Sequence, residues 1–146
     1  MEIRRSEESD RPLIQELMTE CLIDEYGTPP DLHNIDFLLD YYFSRPDSII
    51  FCLWENEREF CGFIWLIESQ DSVSGEKFYL ALYLGIPKHC RGKKYSRKLF
   101  QYAIDYCREN HIKELRLSVR HDNIPAINLH HSMGFETYKH EMKLKL

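Results

Sequence analysis

The sequence has no long apolar stretch. Its longest apolar runs, Ile49–Trp54 and Phe78–Ile86, have the length of a β-strand, whereas a transmembrane helix needs about 18 or more apolar residues in a row. The N-terminus also lacks the apolar segment of a secretory signal, because the acidic residues Glu7, Glu8 and Asp10 follow it closely. We therefore expect a cytoplasmic protein with no membrane partner.

Cysteine and histidine patterns that form disulfide frameworks or metal sites are also missing. The five cysteines are an odd number and none has the C-x-x-C spacing, so we interpret them as buried thiols in a reducing compartment. They are Cys21, Cys52, Cys61, Cys90 and Cys107. The histidines include no H-E-x-x-H motif, and the adjacent His130 and His131 diverge by about 100° on a helix. The sequence therefore predicts no metal site.

Positive charge is scarce as well. The net charge is −5 and the sequence pI is about 5.8, which argues against nucleic-acid binding through a bulk positive field and is compatible with a cationic acceptor such as an amine. Apolar residues make up 43% of the chain and charged residues 29%, which is the balance of an ordinary globular protein. Because 146 residues fit one domain, we predict a single domain over residues 1–146.

Hydrophobic periodicity predicts both helices and strands. Two N-terminal segments have helical spacing, and three apolar runs joined by polar turns then indicate an antiparallel meander. Strand and helix units follow, so the predicted fold class is α/β with a central mixed sheet flanked by helices, in the order β-α-α-β-β-β-α-β-α-β. The predicted strands are Glu2–Arg5, Ile49–Trp54, Phe60–Ile67, Phe78–Ile86, Glu114–Val119 and Phe135–Leu146, and the predicted helices are Asp10–Tyr26, Asp31–Phe43, Arg91–Asn110 and Asn123–Met133.

The turn after the strand Phe78–Ile86 carries the most chemical information. It has Arg91, Gly92, Lys93 and Lys94 at its centre, directly before a helix. The first N–H groups of a helix lack partners and favour negative charge, glycine permits close backbone approach, and the basic side chains add positive charge. The turn is therefore a candidate phosphate or pyrophosphate site, and the alternative is a solvated basic surface.

This turn resembles the acetyl-CoA-binding motif of the GNAT-type N-acetyltransferases. The family pattern is Q/R-x-x-G-x-G/A, at the start of the helix that follows a long central strand. Arg91 stands at the Q/R position and Ser96 at the G/A position, whereas Lys94 stands where the family usually has glycine. A lysine at this position still offers its backbone N–H, provided that its side chain points away from the ligand.

A second segment is similar to another signature of the same family. Asn123–Ala126 resembles N-x-x-A, and Leu129–Phe135 resembles L-Y-x-x-x-G-F with His130 at the tyrosine position. The two signatures occur in the expected order with the expected strand between them, so together they are more specific than either alone. The resemblance extends from about Phe51 to the C-terminus, and it implies a GNAT-like fold with acetyl-CoA as the acyl donor.

The resemblance also implies where acetyl-CoA binds. The pyrophosphate is expected on the backbone amides of the turn, and the pantetheine arm is expected to pair like an added strand with the end of the central strand. The thiol end is expected near the second signature. The expected cofactor-binding residues are Leu84, Gly85, Ile86, Arg91, Gly92, Lys93, Lys94, Tyr95, Ser96, Asn123, Ala126 and His130.

In this family a neutral amine attacks the thioester directly. A backbone N–H near Ile86 is expected to polarise the thioester carbonyl. His130 is the candidate general acid for the departing thiolate, since histidine can donate a proton near neutral pH, and the alternative is that it packs on its helix or contacts CoA. No carboxylate stands near Leu82 or Tyr83, where many relatives carry a basic glutamate, so the base stays unassigned and bulk solvent can serve.

The two N-terminal helices are expected, by resemblance, to form one wall of the acceptor cleft. Their acidic residues either suit a cationic acceptor or form a solvated face; these residues are Asp24, Glu25, Asp31, Asp36 and Asp40. Similarly, Tyr79, Tyr83 and Tyr95 either line the cleft or belong to the edge of the core. The sequence does not identify the acceptor.

Two functional hypotheses follow. The first is an acetyl-CoA-dependent N-acetyltransferase that acts on a primary amine of a small molecule, a peptide or a protein. The alternative is a non-catalytic acyl-CoA-binding regulatory module, because the usual tyrosine and glutamate are absent. The protein is expected to be a monomer or a homodimer, since the alternating segment Phe135–Leu146 can pair across a dimer.

Overall fold

Five strands and four helices make up the chain in the computed structural model, which describes the backbone of residues 1–146 and every side chain except that of Tyr42. The strands are β1 (Glu2–Arg5), β2 (Ser48–Asn56), β3 (Glu59–Gln70), β4 (Lys77–Gly85) and β5 (Leu115–Leu117). The helices are α1 (Arg11–Tyr26), α2 (Leu32–Phe43), α3 (Tyr95–Glu109) and α4 (Ile124–Ser132). Short 3-10 turns at Glu8–Asp10 and Lys88–Cys90 precede α1 and α3.

The strands form one sheet in chain order, from β1 to β5. Neighbours from β1 to β4 are antiparallel, and β2, β3 and β4 are joined by short connections, whereas β5 lies parallel to β4. Apolar residues run almost continuously along β2 and β3, because helices cover both faces of the sheet. This mixed sheet with flanking helices confirms the predicted fold class.

The two neighbours of β4 pair with it over very different lengths. β3 pairs with β4 along the whole strand, with a single irregularity between Ala81 and Tyr83. β5 pairs with β4 only from Tyr79 to Ala81. Beyond Ala81, no strand of the described chain pairs with this edge of β4 as far as Gly85. The sheet therefore opens here into a gap that we call the β4–β5 wedge.

Two apolar cores lie on opposite faces of the sheet. On the first face, Ile14 and Leu17 of α1 pack with the buried indole of Trp65. On the second face, Leu99 and Phe100 of α3 pack with the other side chains of β2, β3 and β4. Successive residues of the central strands alternate between the two cores, so burial on both sides fixes the register of the sheet.

Helix α1 rests on the end of β4 at a glycine. A Cβ atom at Gly85 would lie only 3.1 Å from Cγ of Leu17 and 3.1 Å from the ring of Phe63, which is closer than ordinary van der Waals contact. The missing side chain therefore admits Leu17. At its other end α1 stops at Gly27, whose φ of 75° is a left-handed conformation that glycine adopts without steric cost.

The predicted C-terminal strand Phe135–Leu146 is wrong for the single chain. Residues 135–146 form neither helix nor strand, although Phe135 packs against the core on the α3 side. Met142, Leu144 and Leu146 are 89%, 83% and 114% exposed. A strand requires a hydrogen-bonding neighbour, and this segment pairs with no strand of the described chain.

Several other element boundaries also differ from the prediction, among them two beside the wedge. Helix α3 begins at Tyr95 rather than at Arg91, because the turn before it is not helical. Strand β5 covers Leu115–Leu117 rather than Glu114–Val119, because its pairing ends where it diverges from β4. Within the described part of the chain, no helix has the length and apolar character needed to cross a membrane.

Candidate functional site

The β4–β5 wedge leaves backbone groups available on one edge of a central strand. The edge runs through Leu82 and Tyr83 to Leu84 and Gly85, and the buried Ile86 follows it. Unpaired N–H and C=O groups on a strand edge can bind an extended ligand in the manner of an added strand. The structure thus places the predicted residues Leu84, Gly85 and Ile86 together at the end of the wedge.

The chain turns from β4 into α3 through two left-handed residues. Gly92 has a φ of 84° and Lys94 a φ of 62°, and α3 begins at the next residue, Tyr95. A side chain in this conformation costs about 1–2 kcal/mol, whereas glycine adopts it freely. This conformational cost explains why the Q/R-x-x-G-x-G/A motif usually has glycine at the position of Lys94. The turn needs the left-handed backbone, and here a lysine supplies it.

The start of α3 is open to an anion. No side chain caps the helix at Lys94, and the first turn contains no acidic residue. The N–H groups at the start of a helix lack intrahelical partners, and the helix dipole favours negative charge there. The small, partly buried side chain of Ser96 lies within this first turn. The arrangement can therefore bind a phosphate or pyrophosphate through the backbone.

The basic side chain of Arg91 is already paired with protein groups. Its Nη2 lies 3.0 Å from Oδ2 of Asp24 on α1, and its Nε donates to the carbonyl of Ile86 at 3.3 Å. Nζ of Lys88 lies 3.2 Å from Oδ1 of the same carboxylate. Hydrogen bonds from Arg91 and then from Lys88 keep the pKa of Asp24 below its usual value. Arg91 therefore braces the loop against α1, a role that its place in the motif did not reveal.

A second carboxylate, Glu55 near the end of β2, holds the other side of the turn. Nζ of Lys93 lies 2.6 Å from Oε1 of Glu55, and the hydroxyl of Tyr95 donates to the same oxygen. Lys93 and then Tyr95 keep the pKa of Glu55 low, and this hydrogen bond raises the pKa of Tyr95 to about 12. Lys94, by contrast, makes no ion pair with a described residue. Sequence reasoning missed Glu55 because it lies 38 residues before Lys93.

The residues of the second signature lie on α4. Oδ1 of Asn123 accepts the backbone N–H of Ala126 at 3.3 Å, so Asn123 is the N-cap of this helix. The ring of His130 is buried against Phe100 and Phe135, with centroid distances of 4.9 and 5.7 Å and edge-on geometry. The signature therefore has a structural role in starting α4 and in attaching it to α3.

The environment of His130 bears on its chemistry. Burial lowers its pKa, with a smaller contribution from His131, so the ring is uncharged at neutral pH. Its Nδ1 has no hydrogen-bond partner among the described residues. Because an uncharged imidazole is a weaker proton donor than an imidazolium, the geometry favours the packing alternative. The general-acid role stays a prediction.

The three tyrosines that were candidates for lining the cleft, Tyr79, Tyr83 and Tyr95, lie on different faces of the sheet. Tyr83 lies on the α1–α2 side, where its ring centroid is 6.2 Å from that of Trp65. Tyr79 and Tyr95 belong to the core on the α3 side, and burial raises the pKa of Tyr79 to about 12. Tyr83 is thus placed beside the α1–α2 wall, and the other two belong to the opposite core.

The acidic residues of α1 and α2 mostly have partners. The pairs are Asp24 with Arg91 and Lys88, Glu25 with Arg120, Asp36 with Gln15, and Asp40 with Arg11. Asp31 accepts the backbone N–H of His33 at the start of α2. These contacts favour the solvated-face alternative over a wall of unpaired negative charge that would select a cationic acceptor.

Buried thiols lie beneath the turn. All five cysteines are free and four of them are buried, as predicted, with Cys21 partly covered. The thiol of Cys90 donates to Sγ of Cys61 at 2.7 Å, and a carboxylate oxygen of Glu59 lies within 4.8 Å of both sulfurs. Burial raises the pKa of Cys61, so this thiol stays protonated at neutral pH. The pair therefore acts as packing under Arg91.

A cavity of about 270 Å³ lies away from the wedge. Arg5, Phe43, Arg45 and Ser48 line it, at the start of β2, whereas the turn faces the end of β2. Its position gives it no contact with the turn or with α4. The candidate site is therefore defined by the open strand edge and the start of α3 rather than by this cavity.

Comparisons with known proteins bear on the whole of this arrangement. The profile of the Acetyltransferase (GNAT) family matches residues 11–135, from the start of α1 to the residue after Gly134. Over 136 residues the chain is 31% identical to an uncharacterized N-acetyltransferase, YhfO, of Bacillus subtilis (strain 168). That alignment covers 93% of this chain and 90% of the Bacillus protein.

Solved structures share the fold at lower sequence identity. A possible acetyltransferase from Clostridium difficile 630 superposes with a TM-score of 0.86 at 17% identity, covering 99% of this chain and 96% of that one. A GNAT family acetyltransferase from Staphylococcus aureus superposes with a TM-score of 0.73 at 16% identity, covering 99% and 98%. These likenesses concern the arrangement of strands and helices.

Proposed function

The chain belongs to the GNAT acetyltransferase family and is an N-acetyltransferase, and from this premise we propose that it transfers the acetyl group of acetyl-CoA to a primary amine. The acceptor amine belongs to a small molecule, a peptide or a protein. The family generally uses acetyl-CoA, which supplies an acetyl group activated as a thioester.

The observation that carries the proposal is the open edge of β4 leading to the uncapped start of α3. The edge ends at Gly85, and the two left-handed residues Gly92 and Lys94 then deliver the chain into the helix. Acetyl-CoA has an extended pantetheine arm with an anionic pyrophosphate at one end. The protein offers an open strand edge followed by an anion site, so the two match in order. We therefore assign the pantetheine arm to the wedge and the pyrophosphate to the amides of Arg91–Ser96.

The protein groups at the wedge have defined tasks in this reaction. A backbone N–H near Ile86 polarises the thioester carbonyl, which then accepts the lone pair of the neutral amine. The new C–N bond forms as the C–S bond breaks, the amine loses a proton, and the thiolate gains one. Bulk solvent takes the amine proton, because neither Leu82 nor Tyr83 is a carboxylate.

His130 is the proposed donor of the proton to the thiolate. It stands on α4 at the position where the resembling signature has a tyrosine, and its Nδ1 has no partner among the described residues. Its low pKa requires that the donor is either the minor imidazolium form or a neutral ring N–H. The test of this role is therefore separate from the test of acetyl transfer.

Isothermal titration of the full chain with acetyl-CoA tests the proposed function first. We expect saturable binding, and weaker binding of acetyl-pantetheine, because that compound lacks the pyrophosphate assigned to the turn. A panel of primary amines, with the acetylated product detected by mass spectrometry, then tests transfer. No binding of acetyl-CoA would overturn the proposal. Binding with no product from any amine would favour an acyl-CoA-binding module instead.

A matched pair of variants tests the role of His130. If His130 is the acid, His130→Gln lowers kcat by about 100-fold and removes a limb of the pH–rate profile. The neighbouring His131→Gln is the control, since this exposed ring hydrogen-bonds only to Thr137 at 3.3 Å in the described chain. Unchanged kcat in His130→Gln, with normal folding, would assign His130 to packing alone.

A further inference from the structure

Two segments of the chain bring metal-binding side chains together beneath the turn before α3. Glu59 and Cys61 are two residues apart on β3, so their side chains lie on the same face of this strand. His89 and Cys90 belong to the 3-10 turn Lys88–Cys90, which contacts β3 through the two sulfurs. The four residues offer two thiols, a carboxylate and an imidazole, all of which are zinc ligands in proteins.

The ligand atoms already lie close to one another. The sulfurs of Cys61 and Cys90 and a carboxylate oxygen of Glu59 are all within 4.8 Å of one another, and Nε2 of His89 lies 3.7 Å from Oε1 of Glu59. Around a tetrahedral zinc ion a nitrogen and an oxygen ligand are about 3.4 Å apart, and two sulfurs are about 3.8 Å apart. The sulfurs stand 2.7 Å apart, so they need to separate by about 1 Å.

We propose that Cys61, Cys90, Glu59 and His89 bind one zinc-type divalent cation in a tetrahedral site. In the metal-free chain the two thiols remain packing groups. The sequence spacing predicts no metal site, because the two cysteines stand 29 positions apart and only the fold brings them together. Since all four ligands come from the protein, the ion has no open position for a substrate, and its role is structural.

The burial of the four side chains suits such a site. Cys61 and Cys90 are fully buried, whereas the side chains of His89 and Glu59 are 64% and 40% exposed. An ion therefore enters from the surface through the nitrogen and oxygen ligands and reaches the sulfurs last. Two sulfur ligands select zinc over magnesium and calcium, because those cations prefer oxygen ligands.

The charges around the thiols favour a cation. The carboxylate of Glu59 has no lysine or arginine partner among the described side chains, whereas Glu55 pairs with Lys93. Burial and then the neighbouring Cys90 thiol raise the pKa of Cys61 to about 12, with smaller contributions from Glu55 and Glu59. A bare thiolate is therefore disfavoured here, and a bound cation removes this penalty because it neutralises the charge.

Metal binding at this site releases protons. Each thiol loses its proton to solvent as its sulfur bonds to the ion, while Glu59 binds as a carboxylate and His89 as a neutral imidazole. The reaction therefore frees two protons for each ion. As a result, the association constant is expected to rise about 100-fold for each unit of pH while both thiols of the free chain are protonated.

The site adjoins the turn that is assigned to the pyrophosphate. Cys90 directly precedes Arg91, so bonds from one ion to Cys90, Cys61 and Glu59 tie the start of this turn to β3. None of the four ligands is among the groups assigned to acetyl-CoA. The ion therefore binds whether or not the cofactor does, and its test is independent of acetyl transfer.

Titration of the reduced full chain with Co²⁺, in the absence of acetyl-CoA, is the first experiment. Co²⁺ replaces Zn²⁺ in tetrahedral sites, and its bonds to thiolates give a charge-transfer band in the near ultraviolet. We expect the band to saturate at one equivalent of Co²⁺ and to disappear when one equivalent of Zn²⁺ is added. Calorimetry in buffers of different ionisation enthalpy is expected to give a Kd for Zn²⁺ below about 1 μM near neutral pH, with about two protons released per ion.

Matched variants separate this site from the other thiols. Cys90→Ser is expected to abolish the charge-transfer band, whereas Cys107→Ser keeps it, because Cys107 is also buried but belongs to no ligand cluster of the described chain. Glu59→Gln and His89→Gln change partly exposed side chains, so both variants are expected to fold. Each is expected to raise the Kd for Zn²⁺ about tenfold or more.

Four outcomes would overturn the proposal. The first is the absence of the band at one equivalent of Co²⁺, including the case in which air joins Cys61 and Cys90 in a disulfide but the reduced chain gives no band. The second is a band that Cys107→Ser removes as fully as Cys90→Ser does. The third is Zn²⁺ binding without proton release, which would indicate a surface site without thiolates. The fourth is an unchanged Kd for Zn²⁺ in both Glu59→Gln and His89→Gln.

Discussion

The turn before α3 and the second signature differ in the kind of group on which each depends. The turn consists of backbone, with left-handed conformations at Gly92 and Lys94 and free N–H groups at the start of α3. The second signature depends on side chains, and its histidine, His130, is buried and uncharged. A site made of backbone groups keeps its geometry after a substitution, provided that the new residue adopts the same φ. A site made of side chains is altered by a single substitution.

This difference explains why the resemblance identifies the cofactor better than the chemistry. The lysine at position 94 departs from the motif and yet keeps the left-handed turn, so the backbone groups stay in place. The histidine at position 130 keeps its place in the signature but acquires the environment of a core residue. Four predictions test the contrast, in order of decreasing effect.

The largest effect is expected at the turn. Gly92→Asp introduces a carboxylate where the pyrophosphate is assigned, and like charges a few ångströms apart near a protein surface repel by several kcal/mol. We expect the Kd for acetyl-CoA to rise by about 100-fold in isothermal titration. Gly75→Asp is the matched control, because Gly75 also has a positive φ, of 75°, and open space around its Cβ position. Equal weakening by both variants would mean that a general loss of stability, rather than charge at the turn, causes the weaker binding.

The second prediction concerns the strained lysine. Lys94→Gly relieves a left-handed side-chain conformation, so the free energy of unfolding is expected to rise by about 1 kcal/mol in chemical denaturation. His111→Gly is the control, since His111 has a similar φ of 59° beyond the far end of α3. Both variants are expected to gain stability, with acetyl-CoA binding unchanged in His111→Gly. A less stable Lys94→Gly would show that the lysine side chain contributes more than the strain costs.

The third prediction concerns the ion pairs that Asp24 forms with Arg91 and Lys88. Asp24→Asn removes the carboxylate that pairs with Arg91 and Lys88, so these cations become available to the phosphates. We expect acetyl-CoA to bind about threefold more tightly at low salt, with the gain shrinking as salt is added. Glu76→Gln, which breaks the ion pair with Lys113 outside the turn, is expected to leave binding unchanged. Weaker binding in Asp24→Asn would show that bracing by Arg91 matters more than its charge.

The smallest effect is expected at His130. Because the pKa of His130 is lower in the folded state, the unfolded chain binds a proton first, and the free energy of unfolding falls as pH drops below about 6.5. His130→Gln is expected to flatten this decline below about pH 6.5, while His131→Gln keeps it. The low carboxyl pKa values of Asp24 and Glu55 act in a more acidic range. A decline that persists in His130→Gln would place its origin elsewhere.

Much of the fold could be predicted from the sequence because it depends on local periodicity. The apolar stripe of α1, the continuous apolar runs of β2 and β3, and the order of elements follow from residue spacing. The last strand could not be placed in the same way. The alternation of Met142, Leu144 and Leu146 predicts strand character but contains no information on which edge the segment joins.

The candidate site was predictable where it follows from the turn and not where it depends on distant contacts. The positions of Gly92 and Ser96 before and within the first turn of α3 follow from the motif. The carboxylate of Glu55 and that of Asp24 reach the turn through pairs separated by 38 and 67 residues, and no spacing rule connects them. The burial of His130 likewise depends on the packing of α4 on α3.

Gly85 ties the position of α1 to that of the strand that borders the wedge. The end of β4 seats α1 through the close approach of Leu17 and Phe63 to a position that has no side chain. The buried residues of α1 make this contact, and the exposed ones take no part in it. Outer side chains of α1 other than Asp24, which pairs with Arg91, can therefore change without disturbing this contact. A methyl group at residue 85, in contrast, would require Leu17 and Phe63 to move by a few tenths of an ångström, so any change at this position is transmitted to α1.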